Sequence, residues 1–500
     1  MLREEAVRFL ETRRSQADPP PVAVDDRRPA AQTDPVARVP AGNRPDHAGN
    51  HDADDGQCSP PRKRRGRHKR RLTGNRDAGA LDEKEYCDQQ VPVVGNPLAD
   101  DVEHAKGGWW PVGSRRARDR KLHRPRPCHK REGAVTFPAM LSILNLENLE
   151  GAARERLDPM LYDYIAGGAG DELTLHESRA AWNRIQLLPR MLRGVADRQL
   201  GTTVLGAPVS FPVLVPPMGF QGLCHTDAEV ATASATAAEG TIFCASTVSN
   251  KSLEAIAEAN GGGAGTRWFQ LYVYRDKSIT RGLVERAAAA GYSALCLTVD
   301  TPLAGNRERD RRNSLRMPAH LELANFPASH TAQHHHGSGP GSSLAQYIAH
   351  QWDPGLTWDD VAWLRSISPM PVVVKGILAP ADAKLAVDHG AAGVIVSNHG
   401  GRQLDTVPAP VTMLPEVVDA VAGRCEVFVD GGIRRGIDVL KALAFGARAV
   451  LVGRPVLWGL TLDGTDGVRA VLQHMRAEVD LAMALAGCRT VADITRDLIV

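Results

Sequence analysis

The 500-residue chain has no apolar stretch approaching the ~20 residues that a membrane-spanning helix needs, so no such span is expected. Its cysteines, at 58, 87, 128, 224, 244, 296, 425 and 488, form no CxxC pair and no spacing typical of zinc sites. Neither a metal cage nor a disulfide framework is therefore expected. Cys296, in "ALCLT", has the setting of a small buried hydrophobe in a reducing compartment. The opening "MLREEAVRFLETRRS" lacks the apolar core of a signal peptide, and a cytoplasmic location is the expectation. Aromatic residues are scarce at first: only 5 of 24 lie before Met140, against 15 of the 33 prolines.

Charge divides at the same place. Residues 1–139 carry 28 Lys and Arg against 21 Asp and Glu, whereas 140–500 carry 32 against 37. A basic, proline-rich segment with few core-forming residues reads as a disordered extension. Its densest run, "PRKRRGRHKRR" (61–71), could neutralise phosphates, which would make the chain a nucleic-acid-associated protein acting through its tail. No aromatics interleave the run and no nucleic-acid fold surrounds it, so a solvated charge run is the better reading and nucleic acid is not expected as a partner. Met140 opens "MLSILNLENLEGAARERL", which reads as a natural protein start, so 1–139 also fits upstream sequence from a misassigned start.

From Phe211 a short apolar run ending in polar or glycine residues recurs, usually followed by an alanine-rich helical stretch. The runs are "PVLVP" (212–216), "TIFCAS" (241–246), "RWFQLY" (267–272), "ALCLT" (294–298), "PVVVK" (371–375), "GVIVS" (393–397), "EVFVD" (426–430) and "AVLVG" (449–453). Eight strands alternating with helices predict an α/β fold, a closed parallel (β/α)8 TIM barrel over 140–500 with an N-terminal helical extension. An open doubly wound sheet is the alternative, which eight well-spaced units disfavour. In this barrel the C-terminal strand ends form the active-site face. The residues there are Met218, Gly219, Ser246, Gln270, Tyr272, Thr298, Asp300, Lys375, Ser397 to Arg402, Asp430 to Arg434, Gly453 and Arg454.

Two ends of different chemistry emerge. "DGGIRRG" (430–436) and "GRP" (453–455) follow the seventh and eighth runs, where barrels often bind phosphate through backbone N–H groups, a helix N-terminus and arginine. Tight βα turns alone would also favour such glycines. Lys375 ends an apolar strand and needs a negative partner, since an isolated buried charge is expensive. A reduced flavin, a Schiff base or a plain salt bridge would each meet that need. Gln270 and Thr298 could bond a flavin's polar edge. His399 is the natural base, since an unperturbed histidine titrates near neutrality, Asp300 could orient it, and Arg402 could hold a substrate carboxylate beside it.

"YDYIAGGAGDELTL", "WFQLYVY", "LTVDTP", "VVVKG", "SNHGGRQLD", "DGGIRRG" and "GRP" stand in order over essentially all of 140–500. This series closely resembles the FMN-dependent α-hydroxy-acid oxidases and dehydrogenases. "SNHGGRQLD" is the most specific of them. The resemblance implies an FMN enzyme that oxidises an L-2-hydroxy acid to the 2-oxo acid, with flavin reoxidised by oxygen or another acceptor. It implies His399 as base, Asp300 as its orienter, and Tyr272 bonding the substrate hydroxyl. Tyr164, Arg307 and Arg402 would grip the carboxylate. FMN would meet Pro217, Met218, Gly219, Ser246, Gln270, Thr298, Lys375 and Ser397, its phosphate lying against Asp430, Gly431, Gly432, Ile433, Arg434, Gly453 and Arg454. The two glycines after His399 would let the backbone pass close to the ring. A homo-oligomer, tetramer or octamer, is also implied.

Three positions depart from relatives. Val248 stands near a place where some carry an aromatic side chain, Ile165 replaces a tyrosine of glycolate oxidase, and Gly219 stands where some carry alanine. The first two open the site to a substituent bulkier than hydrogen. Another phosphate-binding flavin barrel, acting on a nucleotide or isoprenoid diphosphate, is disfavoured because such substrates need no carboxylate grip. The Gly-, Ser- and Pro-rich segment at about 318–345 reads as a mobile loop over the site, and its three consecutive histidines are given no metal role.

Overall fold

A computed structural model describes residues 143–327, 329–330 and 342–500. The basic extension, the Met140 boundary and the three consecutive histidines lie outside the described residues.

Three helices precede the barrel: α1 (Leu146–Arg156), α2 (Pro159–Ala166) and α3 (Leu173–Arg184). Asp158 caps α2, its carboxylate accepting from Met160 N at 2.8 Å, and Pro159 supplies the preset φ of a first turn. A hairpin follows, β1 (Thr202–Val204) and β2 (Ala207–Val209).

The barrel strands are β3 (Val213–Leu214), β4 (Phe243–Ala245), β5 (Arg267–Leu271), β6 (Ala294–Thr298), β7 (Val372–Ile377), β8 (Gly393–Val396), β9 (Glu426–Asp430) and β10 (Ala449–Leu451). All neighbours pair in parallel in the order β3-β10-β9-β8-β7-β6-β5-β4. A parallel bridge between Val215 and Phe243 joins the two ends, with Val215 N donating to Ile242 O at 2.9 Å and Cys244 N to Val215 O at 3.0 Å. The closed barrel is therefore present, and the open sheet is excluded.

Period-two alternation sorts each strand's side chains into two apolar sets. Val213, Phe243, Phe269, Leu295, Val374, Val394, Val429 and Val450 join the set that includes helix residues such as Val284, Leu414 and Leu440. Leu214, Cys244, Trp268, Cys296, Val373, Ile395, Phe428 and Leu451, one per strand, fill the interior, where Trp268 and Phe428 meet edge to face at 5.5 Å. Val204 and Val209 belong to this inner set, so the β1–β2 hairpin packs with the barrel's interior.

Two residues further along each strand stand Pro216, Ser246, Gln270, Thr298, Lys375, Ser397, Asp430 and Gly453. An apolar layer thus gives way to a layer that is mostly polar at the C-terminal ends. That layer is where the site begins.

The helices between and after the strands are α4 (Ala228–Ala238), α5 (Leu253–Ala259), α6 (Lys277–Ala289), α7 (Glu308–Arg312), α8 (Ser343–Gln351), α9 (Asp359–Ile367), α10 (Pro380–Asp388), α11 (Pro410–Val421), α12 (Gly436–Ala444) and α13 (Arg454–Ala486). The segment read as a mobile loop is in part packed. Leu321, Leu323 and Asn325 are buried, and Asn325 Oδ1 accepts from Leu253 N at 3.0 Å at the start of α5. Helix α8 also begins inside that segment, at Ser343. Gly and Ser content marked the segment as loop, but these apolar and amide side chains anchor its first part.

Candidate active site

One cavity opens at the C-terminal strand ends. Its lining includes Tyr164, Pro217, Met218, Gly219, Ser246, Gln270, Tyr272, Thr298, Arg307, Lys375, His399 and Arg402, together with Asp430, Gly431, Gly432, Ile433, Arg434, Gly453 and Arg454. Asp300 and Ser397 stand behind that lining and act on residues within it.

His399 lies just past β8 with φ +58, an unfavourable backbone for a residue with a Cβ. Its Nδ1 is 2.8 Å from Asp300 Oδ1, and its backbone N–H donates to Ser397 Oγ at 3.1 Å. Burial pulls the imidazole pKa below its usual value, with Lys375 and Arg307 adding to this and Asp300 opposing it. A neutral ring with Nδ1–H on Asp300 leaves Nε2 as the basic atom. Burial favours protonation of Asp300, but His399 and Lys375 outweigh it and hold the carboxyl below the ordinary range. Of the two following glycines only Gly400 lines the cavity, beside Arg454. A Cβ on Gly401 would strike the Leu175 backbone of α3 at 2.7 Å. That second glycine therefore serves helix packing rather than passage beside a ring.

Arg402 and Arg454 close on the C-terminal end of α2. Arg402 Nη1 donates to the carbonyls of Tyr164 at 2.6 Å and Gly167 at 3.1 Å, and Arg454 Nε donates to Ile165 O at 3.0 Å. The carbonyls at a helix end are electronegative and suit these cations. Neither guanidinium is paired with a carboxylate among the described salt bridges. Burial brings the Arg402 pKa down to about 10, with Arg307 adding repulsion. It brings Arg454 to about 9, with Arg402 and Arg434 adding theirs. Arg402 also lies over the Tyr164 ring, 5.0 Å from its centroid. The expected carboxylate-binding residues are thus together.

Lys375 has its negative partner within the protein. Its Nζ lies 3.1 Å from Asp430 Oδ2 and donates to Ser397 Oγ at 2.8 Å. Burial disfavours the ammonium, but Asp430 and Asp300 prevail and hold its pKa above the usual lysine value. Two expectations shift accordingly. Asp430 faces the lysine, although it was assigned to the phosphate loop, and Ser397 supports Lys375 and His399 from behind the lining.

The loop after β9 differs in a further respect. The amides of Arg434 and Arg435 both donate to Asp438 Oδ2 at 3.0 Å, and Gly436 N donates to Glu478 Oε2 at 2.7 Å. The N-terminus of α12 is therefore capped by the protein's own carboxylates. An anion at this end of the cavity would meet the Arg434 and Arg454 side chains and the start of α13 at Gly453.

These residues fit FMN. Gln270 Nε2, Thr298 Oγ1 and Asp430 Oδ1 are buried with no hydrogen-bond partner among the described residues. Gln270 spends its Oε1 on Ser246 Oγ and Thr247 N, both at 3.2 Å, which leaves its NH2 group to donate elsewhere. Unsatisfied donors beside a fixed ammonium suit the polar edge of a flavin, and unpaired arginines suit its phosphate.

Sequence reasoning missed part of the wall. Leu344 and Ile348 of α8 and Trp352 at its C-cap line the cavity at i, i+4 and i+8. Trp352 stacks on Tyr272 with centroids 3.6 Å apart at 17°. The helical spacing was legible, but the segment's glycine and serine content drew the loop boundary into its first turn. Thr301 was missed too; its hydroxyl donates to Asp300 Oδ1 at 3.1 Å.

Comparison with known proteins adds a family to this geometry. The model of the FMN-dependent dehydrogenase family matches residues 153–500. The chain is 52% identical to an L-lactate oxidase of Nostoc sp. over 357 residues, covering 71% of this chain and 98% of that protein. It is 48% identical to 2-hydroxyacid oxidase 1 of Mus musculus over 355 residues, 71% of this chain and 95% of that protein. A solved structure of mandelate oxidase with (S)-4-hydroxymandelic acid is similar with a TM-score of 0.68 and 44% identity, covering 72% of this chain and 98% of that one.

Proposed function

The chain belongs to the FMN-dependent dehydrogenase family and oxidises 2-hydroxy acids with FMN as its cofactor; from that premise we propose that His399 is its base, that Arg402, Arg307 and Tyr164 grip the substrate carboxylate, and that Lys375 is the cation on the flavin side. The observation that carries this reading is the His399–Asp300 pair at 2.8 Å on the same cavity as Arg402.

Oxidation of the alcohol carbon removes two electrons and two protons. FMN, when bound, would supply the acceptor for the two electrons and for the proton that His399 does not take. The chain's own part is to bind, orient and move a proton. His399 Nε2 takes a proton from the substrate, and Asp300 stabilises the imidazolium that results. Arg402 and Arg307 fix the carboxylate so that the hydroxyl-bearing carbon faces the imidazole. The Tyr272 hydroxyl, on a ring held flat against Trp352, bonds the substrate oxygen.

Ile165, Val248, Leu344, Ile348 and Trp352 make the remaining wall apolar. They support an L-2-hydroxy acid with an apolar substituent, as in lactate or mandelate, over glycolate. Anaerobic mixing with lactate, mandelate and glycolate tests this: the yellow enzyme should bleach with one of the first two faster than with glycolate, and oxygen should then restore its colour. Protein that stays colourless after FMN addition, or that no hydroxy acid bleaches, would sink the assignment.

Gly219 offers a second check on the same wall. A Cβ there would lie 2.6 Å from Val248 Cγ2, and valine is stiff about χ1. Gly219→Ala should therefore lower kcat/KM for mandelate relative to lactate by about 10-fold or more, the scale of one methyl in a tight pocket. Steady-state kinetics on both acids reads the ratio.

Exposed Leu188, Met191, Leu192, Leu481 and Leu485 lie on two segments joined by Arg190 N donating to Ala486 O at 3.0 Å. They support self-association into a homo-oligomer, a tetramer or octamer. No described helix is long and apolar enough to cross a membrane. The described cysteines are free thiols, which supports the cytoplasm as the location.

A further inference from the structure

Strand β7 breaks its pairing with β8 between Lys375 and Ile377, where one extra residue, Gly376, bulges with φ +106. L residues rarely adopt that backbone. Space excludes a side chain independently. A Cβ on Gly376 would lie 2.6 Å from both Cβ and Cγ of Asp300 and 2.9 Å from its Oδ2.

Asp300 is held from other directions as well. Thr301 donates to its Oδ1 at 3.1 Å, and Gln403 Nε2 donates to its backbone carbonyl at 2.8 Å. Its Oδ2 is buried without a hydrogen-bond partner among the described residues and lies on the Gly376 side. One oxygen is thus committed to His399 and Thr301, while the rest of the carboxylate rests against a bare Cα.

We infer that Gly376 is a positioning residue for the reaction: its bulge, one carbon deep, is the seat that lets the Asp300 carboxylate meet His399 Nδ1. The same bulge follows directly on Lys375, so one backbone irregularity sets both the base's partner and the neighbouring cation. A glycine that served only strand geometry would need the φ but not the empty space over Asp300. The inference rests on reading His399 and Asp300 as base and orienter.

The test uses FMN-loaded Gly376→Ala, Asp300→Ala, the double variant, Asp300→Glu and His399→Ala. Each is assayed for FMN content, kcat, KM and pH profile with the acid that best bleaches the wild type. Gly376→Ala should keep FMN, lose about 10- to 10²-fold in kcat and hold KM within about threefold. The acid limb of its kcat/KM profile should move to lower pH, because displaced Asp300 no longer favours the imidazolium. The double variant should match Asp300→Ala within about twofold, since two changes acting through one carboxylate do not multiply. Asp300→Glu should fall to within about threefold of Asp300→Ala, there being no room for another methylene.

A loaded Gly376→Ala with wild-type kcat and profile overturns the inference, as does a double variant whose losses multiply. If Gly376→Ala yields no folded protein, Asp300→Glu decides, and a kcat above roughly a tenth of wild type overturns the seat. Unchanged flavin reduction in His399→Ala would instead remove the reading on which the inference stands.

Discussion

His399→Ala should bind FMN as the wild type does, yet be reduced by the hydroxy acid roughly 10²–10⁴-fold more slowly, the range expected when a positioned base is lost. The substitution touches neither Lys375 nor the arginines, so cofactor content and substrate affinity should change little. His399's backbone N–H donates to Ser397, while its imidazole Nδ1 meets Asp300 at 2.8 Å and the Thr301 hydroxyl at 3.4 Å, and only the imidazole contacts are removed. The pH dependence gives a second signature. The folded imidazole titrates below the ordinary histidine value, so wild-type kcat/KM should be level at neutral pH and fall only as pH drops beneath about 6.5. The residual activity of His399→Ala should lack that limb. Anaerobic stopped-flow at several pH values measures both, and a variant that bleaches at the wild-type rate would remove His399 from the chemistry.

The cavity's charges accord with this division of labour. Lys375, Arg307, Arg402, Arg434 and Arg454 line it, against a single lining carboxylate, Asp430. Asp430 is committed to Lys375, and Asp300 behind the wall to His399. The guanidiniums of Arg402, Arg434 and Arg454 are left to donate to backbone carbonyls, each depressed in pKa by burial. An anionic substrate at one end and a phosphate at the other would relieve that repulsion. Both ligands therefore fit the same electrostatic surplus.

Most of this architecture was legible because period two is a local property. Once the apolar runs were seen, stepping two residues past Val373, Cys296 or Phe428 reached Lys375, Thr298 and Asp430 without knowledge of strand order. What stayed hidden depends on neighbours across the barrel. Asp430 looked like part of a phosphate loop, and only the β7–β8–β9 order brings it to Lys375. The N-terminus of α12 looked open to an anion until Asp438, three residues into the helix, and Glu478 of distant α13 were found on its amides. Trp352 could not be linked to Tyr272 by spacing, since 80 residues of chain separate them. Gly376 stood only as the last residue of "VVVKG", and its use appears only where Asp300 fills the place of its missing Cβ.

Lys375→Met should damage both stability and chemistry, and a second substitution should separate the two. The lysine side chain is 5% exposed and its Nζ is 3.1 Å from Asp430 Oδ2. Methionine matches its length but leaves Asp430 a buried carboxylate without a counter-charge, its Oδ1 already unpartnered. Breaking a buried pair from one side costs about 3–5 kcal/mol. Because the folded lysine pKa is raised, the pair's contribution is complete below the unfolded lysine value of about 10.4 and is lost only as pH rises beyond it. Denaturation at neutral pH should thus report the full loss. Lys375→Met with Asp430→Asn removes both charges and should recover most of that stability. Reduction by the hydroxy acid should not recover, remaining at least about 10²-fold slow, because no fixed cation then faces the charge that develops as electrons leave the substrate. Urea titration paired with anaerobic reduction distinguishes the roles. If the double variant regained its reduction rate along with its stability, Lys375 would serve only to neutralise Asp430, and the cation on the flavin side would have to be sought elsewhere.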